Sequence, residues 1–182
     1  KGVDLVLPVV SSFAKALRAE GRRDAVQLVL FGDASECFLS GDSGGVAIHR
    51  SGHLSPGEMR AALDAMDFLL VPSRLDNSPN LVLEGMAMGT VVVVREDSGA
   101  DGLVTDGRTG IVWAQQEPVE SLAGRLAKMD EQRQRRVKAA ARIFVQENLS
   151  ERRYAEKFSQ VIRSFKHGPD VEVQPEASAA GG

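Results

Sequence analysis

The stretch Phe68-Leu69-Leu70-Val71-Pro72-Ser73-Arg74-Leu75-Asp76-Asn77-Ser78-Pro79-Asn80-Leu81-Val82-Leu83-Glu84-Gly85-Met86-Ala87-Met88-Gly89-Thr90-Val91-Val92-Val93-Val94 reads as strand, turn, helix, strand. Phe68 to Val71 is an uninterrupted apolar run of strand length. Pro79 to Met88 carries the pattern of a short helix, and Gly89 stops it. Thr90 to Val94 is too apolar and too β-branched for a surface element. Continuous apolar strands separated by a helix imply parallel pairing in a sheet covered on both faces.

The same alternation extends to both sides. Val3, Val6, Leu7, Val10, Phe13, Ala14 and Leu17 recur at helical spacing, with Gly21 as the stop and Pro8 marking where the regular helix begins. Val26 to Phe31 reads as a buried strand closed by Gly32-Asp33, and Val46 to His49 as a short second strand. Ser55-Pro56-Gly57-Glu58 is a helix start, with a capping serine, proline at the first helical position and glutamate completing a capping box. Gly110 to Trp113 forms the last strand. A long helix is expected over 118–146, then one capped by Ser150 with the stripe Tyr154, Phe158, Val161, Ile162 and Phe165. The predicted fold is α/β: a Rossmann-like parallel sheet with helices on both faces, over residues 1–166. Residues 167–182, rich in Pro, Ala, Gly and acids without apolar periodicity, are expected to form a disordered tail.

Composition narrows the function. The chain has 182 residues, enough for one domain with a real core. Its 22 basic and 25 acidic residues give a net charge of −3, which argues against a nucleic-acid partner. No apolar run is long enough to cross a bilayer. Cys37 is the single cysteine, has no convincing base partner, and points to a reducing cytoplasm. His49 and His53 lack a third ligand, so no metal site is expected. The basic residues near the end, Arg125, Lys128, Arg133, Arg135, Arg136, Lys138 and Arg142, are offset by Glu117, Glu120, Asp130 and Glu131 and read as a solvated face rather than a membrane patch.

Asp76 and Glu84 stand with seven residues between them, one before a helix start and one inside it. In a doubly wound sheet, ligands bind beyond the carboxyl ends of the strands, where this segment lies. A helix N-terminus offers unpaired N–H groups and partial positive charge to a phosphate, and carboxylates accept from sugar hydroxyls. The pattern suits a ligand that is both phosphate ester and polyol.

In their order, these segments resemble the C-terminal, donor-binding half of a retaining GT-B glycosyltransferase of family 4 (group 1). The likeness is carried by Lys1-Gly2-Val3-Asp4-Leu5, Leu28-Val29-Leu30-Phe31-Gly32-Asp33, Pro72-Ser73-Arg74, the Asp76–Glu84 pair followed by Met86-Ala87-Met88-Gly89, and Asp106-Gly107-Arg108-Thr109-Gly110. It spans roughly residues 1–165. Three positions depart from the family pattern: Asp76 replaces its glutamate, Gly85 its alanine and Val91 its proline.

The resemblance implies transfer of a hexosyl unit from a nucleotide sugar, such as a UDP- or GDP-sugar, to a glycan or lipid-linked acceptor. The acceptor would be held by an N-terminal domain missing from this sequence, so the isolated domain is expected to be inactive. No metal is required. The implied setting is exopolysaccharide or lipopolysaccharide synthesis in the cytoplasm, with peripheral association of the intact enzyme at the inner face of the membrane. Lys1 would contact the diphosphate, Asp76 the transferred sugar and Glu84 the ribose hydroxyls. From the residues themselves, Ser78, Asn80 and Leu81 would present the helix start, Gly32 and Asp33 would flank the base, and Gly99 and Ala100 would let backbone N–H groups approach the ligand. Plainer readings stand beside these: a surface lysine for Lys1, a turn or cap for Asp76 and Ser78, a solvated face for Glu84, and simple turns at 31–33 and 97–101. The rival function is a non-catalytic nucleotide- or partner-binding module.

Overall fold

The computed structural model describes residues 2–22, 24–32, 44–75 and 80–149. The chain divides into two units, Lys1–Gln146 and Glu147–Gly182, and the architecture below is that of the first. In order come α1 (Val6–Ala19), β1 (Gln27–Phe31), β2 (Ala47–Gly52), α2 (Pro56–Ala65), β3 (Phe68–Val71), α3 (Asn80–Met88), β4 (Val91–Arg95), β5 (Ile111–Trp113), α4 (Val119–Ala127) and α5 (Glu131–Asn148). All strand pairs are parallel. β1 pairs with β2, and β3-β4-β5 form a second sheet.

Strand β4 organises both faces because its side chains alternate. Val91 and Val93 join Phe68, Leu70, Ile111 and Trp113 beneath α1 and α4, with Val9, Leu122 and Leu126. Val92 and Val94 join Leu69 and Val71 on the other face, packed by Leu63 of α2, Val82 and Met86 of α3 and Ala141 of α5. All four valines are essentially inaccessible. At roughly 25 cal/mol per Å² of apolar surface, such burial is the main stabilising contribution.

Three expectations need correction. The apolar run Val26–Phe31 predicts a buried strand, yet Leu28, Val29, Leu30 and Phe31 are only half-buried. Among the described residues β1 pairs with β2 alone, and its side chains belong to neither core. The long helix expected over 118–146 is two helices. Asp130 breaks it by capping the second: its carboxylate accepts from the Arg133 N–H at 2.7 Å. Regular α1 begins at Val6 rather than after Pro8, because a proline in the first turn gives up an N–H with no intrahelical partner anyway. The tail from 167, the Ser150 cap and its helix, and Cys37 lie outside the described residues.

The capping box at α2 is formed: the Ser55 N–H and Oγ donate to Glu58 at 2.8 and 2.6 Å. These bonds, the side-chain one foremost, hold the Glu58 carboxyl below its ordinary value. Their contribution is therefore complete above the unfolded glutamate value and is lost as pH falls through the lowered one.

Two glycines set inter-element distances. A Cβ on Gly85 would lie 2.7 Å from Leu69 Cδ2 and 3.0 Å from Val92 Cγ1, so the family's alanine would force these side-chain ends to shift. A Cβ on Gly110 would lie 2.8 Å from the Val92 carbonyl oxygen and 2.7 Å from methyls of Val104 and Val92. Backbone cannot yield as side-chain ends do. Gly110→Ala should thus destabilise by about 2–3 kcal/mol, and Gly85→Ala by about 1 kcal/mol after its gain in helix propensity. Urea unfolding midpoints check that order; equal or reversed losses would contradict it.

Candidate functional site

The two ends of the β3-β4-β5 sheet differ. At the amino ends α5 closes the structure: Lys138 Nζ donates to the Met66 carbonyl at 3.4 Å, and the Arg142 guanidinium donates to the carbonyl of Met88. Asp67 and Asp64 stand 3.9 and 3.7 Å from the same two cations. At the carboxyl ends the strands run into Pro72, the turn 96–101 and Ala114, and α3 begins nearby.

Here two segments distant in sequence meet. Gly2 is buried with φ +82°, and a Cβ on it would lie 1.8 Å from the Pro72 carbonyl oxygen, so only glycine fits. Two residues on, Asp4 accepts from Arg74 at 2.7 Å, an exposed pair of modest worth. The Lys-Gly segment opening the chain and the Pro-Ser-Arg segment before the acidic motif are thus neighbours beyond β3. Lys1, Asp33, Asp76 and Ser78 lie outside the described residues, as do Asn77 and Pro79.

Helix α3 is divided lengthwise. Val82, Gly85 and Met86 are buried against the sheet, whereas Asn80, Glu84 and Ala87, at positions i, i+4 and i+7, are exposed. Glu84 makes no hydrogen bond or ion pair with another described residue. Leu81 is half-buried and packs against the core rather than presenting itself to solvent.

Gly32 ends β1 with φ +82°; its N–H donates to the Gly52 carbonyl at 2.8 Å, and the space where a Cβ would sit is open. The turn after β4 is closed on itself. Asp101 accepts from the N–H groups of Asp97 and Gly99 at 3.0 and 2.9 Å, and Ser98 Oγ accepts from the Ala100 N–H at 3.3 Å. The N–H groups of Gly99 and Ala100 therefore already have partners, and Ala100 is buried. Gly99 is exposed with φ +90°, so its open Cα is what this turn presents. Sequence reading missed Asp101 as the organiser of this turn; an acid two residues after a Ser-Gly pair was the available signal.

The Asp106–Gly110 segment lies at the opposite end, leading into β5, and its work is structural. Asp106 Oδ1 accepts from the Val112 N–H at 2.8 Å, and both carboxylate oxygens accept from Arg125 at 2.8 and 2.9 Å. Arg125 also reaches Glu117 at 2.8 Å and the Val112 carbonyl at 3.3 Å. Thr109 Oγ1 accepts from the Thr105 N–H at 2.8 Å inside the turn. Asp106→Ala should cost about 2 kcal/mol, since charge-assisted bonds and the partner's satisfaction are lost together. Thermal unfolding measures this; an unchanged midpoint would remove the network from the stability account.

With that geometry in place, likeness to known proteins acquires meaning. The sequence profile of the glycosyl transferases, group 1, matches residues 1–132. The chain belongs to this family. No curated protein matches it. Among solved structures, Anabaena Alr3699/HepE in complex with UDP and glucose is 17% identical with a TM-score of 0.63, covering 84% of this chain and 44% of that one. WaaG, a glycosyltransferase involved in lipopolysaccharide biosynthesis, is 20% identical with a TM-score of 0.63, over 89% of this chain and 43% of that one. The C-terminal domain of a group 1 family protein, LpcC from Francisella tularensis, is 14% identical with a TM-score of 0.58, over 80% and 81% of the two chains. At these identities the likeness shows the fold, that of GT-B glycosyltransferases. The chain spans less than half the length of Alr3699/HepE and of WaaG. Among the described residues no helix is long and apolar enough to cross a membrane.

Proposed function

We propose that this domain binds the nucleotide-sugar donor of a retaining family 4 glycosyltransferase, as the C-terminal half of a GT-B enzyme that transfers a hexosyl unit. The observation that carries the reading is Glu84: an exposed carboxylate, without a partner among the described residues, on a helix that starts beyond the carboxyl ends of the sheet and whose opposite face is packed into the core. A ribose offers two adjacent hydroxyls to such a carboxylate, as acids do in dinucleotide folds. The start of α3 supplies partial positive charge for the diphosphate, with Asn80 and Leu81 in its first turn and Ser78 just before it in sequence. Lys1 would supply a cation to the diphosphate, Asp76 would contact the transferred sugar, and Gly32, Asp33 and Gly99 would edge the ligand, whereas Ala100 is fully buried and supports its turn from within. Gly99 acts through its missing side chain, because its N–H is held by Asp101.

In this reading the chemistry is leaving-group stabilisation. Helix dipole and basic side chains hold the departing UDP or GDP diphosphate without a metal, and a diphosphate oxygen takes the acceptor proton. The acceptor, a glycan or lipid-linked sugar in exopolysaccharide or lipopolysaccharide synthesis, is bound by a separate N-terminal domain. The enzyme works in the cytoplasm at the inner face of the membrane. Support for the donor and setting comes from UDP and glucose in the Anabaena protein and from the lipopolysaccharide role of WaaG.

A thermal-shift series with UDP-, GDP- and ADP-sugars should give a rise in midpoint with one nucleotide class, since a ligand that binds only the folded state stabilises it. Glu84→Ala should then weaken that ligand at least tenfold by calorimetry, about 1.4 kcal/mol, with the melting temperature of the free protein unchanged. Full affinity in the variant would exclude Glu84 from the site.

A further inference from the structure

Of the five basic side chains on α5, three have an acid within reach. Arg135 pairs with Glu131, Lys138 stands by Asp67 and Arg142 by Asp64. Arg133 and Arg136 have no ion-pair partner among the described residues, and neither does Arg108 in the turn that faces them. Their placement is not random. Arg133, Arg136, Val137 and Ala140 fall at i, i+3, i+4 and i+7, and they form one wall of an open groove of about 530 Å³ whose other wall is Gly107-Arg108.

The groove has the construction of an anion site. Gly107 holds φ +70° and brings no side chain, and the nearest heavy atom to the place of a Cβ is an Arg133 guanidinium nitrogen at 3.9 Å. Val137 is buried and Ala140 is small, so the groove combines an apolar lining with three arginines. The acids nearby in sequence are engaged elsewhere: Asp106 by Arg125, Glu131 by Arg135, and Asp130 by the backbone N–H of Arg133. Like charges that line one groove without an acid partner repel one another, and a ligand of opposite charge relieves that repulsion. Guanidinium groups match phosphate in charge and planar fork geometry better than any other side chain.

We propose that this groove binds a phosphate-bearing ligand, in a site separate from the one at the start of α3. It lies at the amino ends of the strands, between the turn into β5 and the first half of α5, so it does not depend on the nucleotide-sugar reading. The phosphate belongs either to a soluble molecule or to the headgroup of an anionic lipid.

Two arms separate the sources. Inorganic pyrophosphate is titrated into the protein by calorimetry at low ionic strength, and co-sedimentation is measured with phosphatidylcholine vesicles with and without phosphatidylglycerol. The expected result is binding in at least one arm, weakened roughly tenfold or more in the double variant Arg133→Ala/Arg136→Ala and by added salt. Arg135→Ala, the paired arginine on the same helix, should bind as the parent does. Pyrophosphate binding alone marks a soluble ligand, and vesicle binding alone a lipid headgroup. The proposal is overturned if neither arm shows binding, or if Arg135→Ala loses as much as the double variant, which would mean a diffuse basic surface. These arginines are exposed, so thermal unfolding should show all variants folded.

Discussion

The packing of Val91 to Val94 constrains everything else. Four stiff, β-branched side chains alternate across a strand flanked by partners on both sides, so two separate cores share one backbone. Interiors packed at crystal-like density tolerate little displacement, and the neighbouring elements are fitted to this strand by what they lack. Gly85 lets α3 lie against Val92, and Gly110 lets the turn into β5 pass under the Val92 carbonyl. At the strand's entrance, buried Thr90 donates its hydroxyl to the Leu63 carbonyl at 2.5 Å and ties α2 to the same register. The same carbonyl also accepts from the Met66 N–H at 3.3 Å, so both of its lone pairs are used where α2 ends.

That arrangement makes the two ends of the sheet unequal. At the amino ends, the α5 cations bond to the carbonyls of Met66 and Met88, groups that α2 and α3 leave unpaired where they stop. At the carboxyl ends, Gly2 beside Pro72 and Gly99 in the turn after β4 both hold positive φ. Glycine there removes bulk just where parallel strands and helix starts converge. The family segments sort along this axis. Gly2, Pro72-Ser73-Arg74 and the start of α3 lie toward the carboxyl ends, whereas Asp106–Gly110 sits at the far end and serves the backbone of β5.

How much of this was legible depended on the range of the interaction concerned. Strands β3, β4 and β5 and helix α3 could be read because apolar pattern, β-branching and glycine stops agree locally. The capping box at Ser55–Glu58 is local too, and it is present. Strand β1 misled because an apolar run reports what a strand can bury, while its actual burial depends on neighbours that pattern cannot supply. The break at Asp130 was hidden by strong helix formers on both sides, although an aspartate three residues before Arg133 is the mark of a cap. Charge counting over α5 reached a neutral, solvated face; it could not see that the acids reach only some of the cations. Pairing with Asp64 and Asp67 comes from a helix some seventy residues away in sequence and from the turn after it, and only the folded chain reveals which arginines are left over.

Helix α3 shows how one short element can answer to two demands. Gly85 and Glu84 are adjacent, about 100° apart on the helix surface, and face opposite media. Gly85 sits against Leu69 and Val92 in the core; Glu84 stands in water with no described partner. Because Glu84 is already solvated, the fold carries no desolvation cost for its charge, and the carboxylate is free to exchange water for ligand hydroxyls. Because Gly85 fixes the distance from helix to sheet, the direction in which Glu84 projects is set by core packing rather than by the mobility of a loop. A polar side chain presented from a rigid, well-packed helix keeps its geometry with little ordering entropy left to lose on binding. The core-facing glycine thus positions the outward-facing acid, although the two never touch the same group.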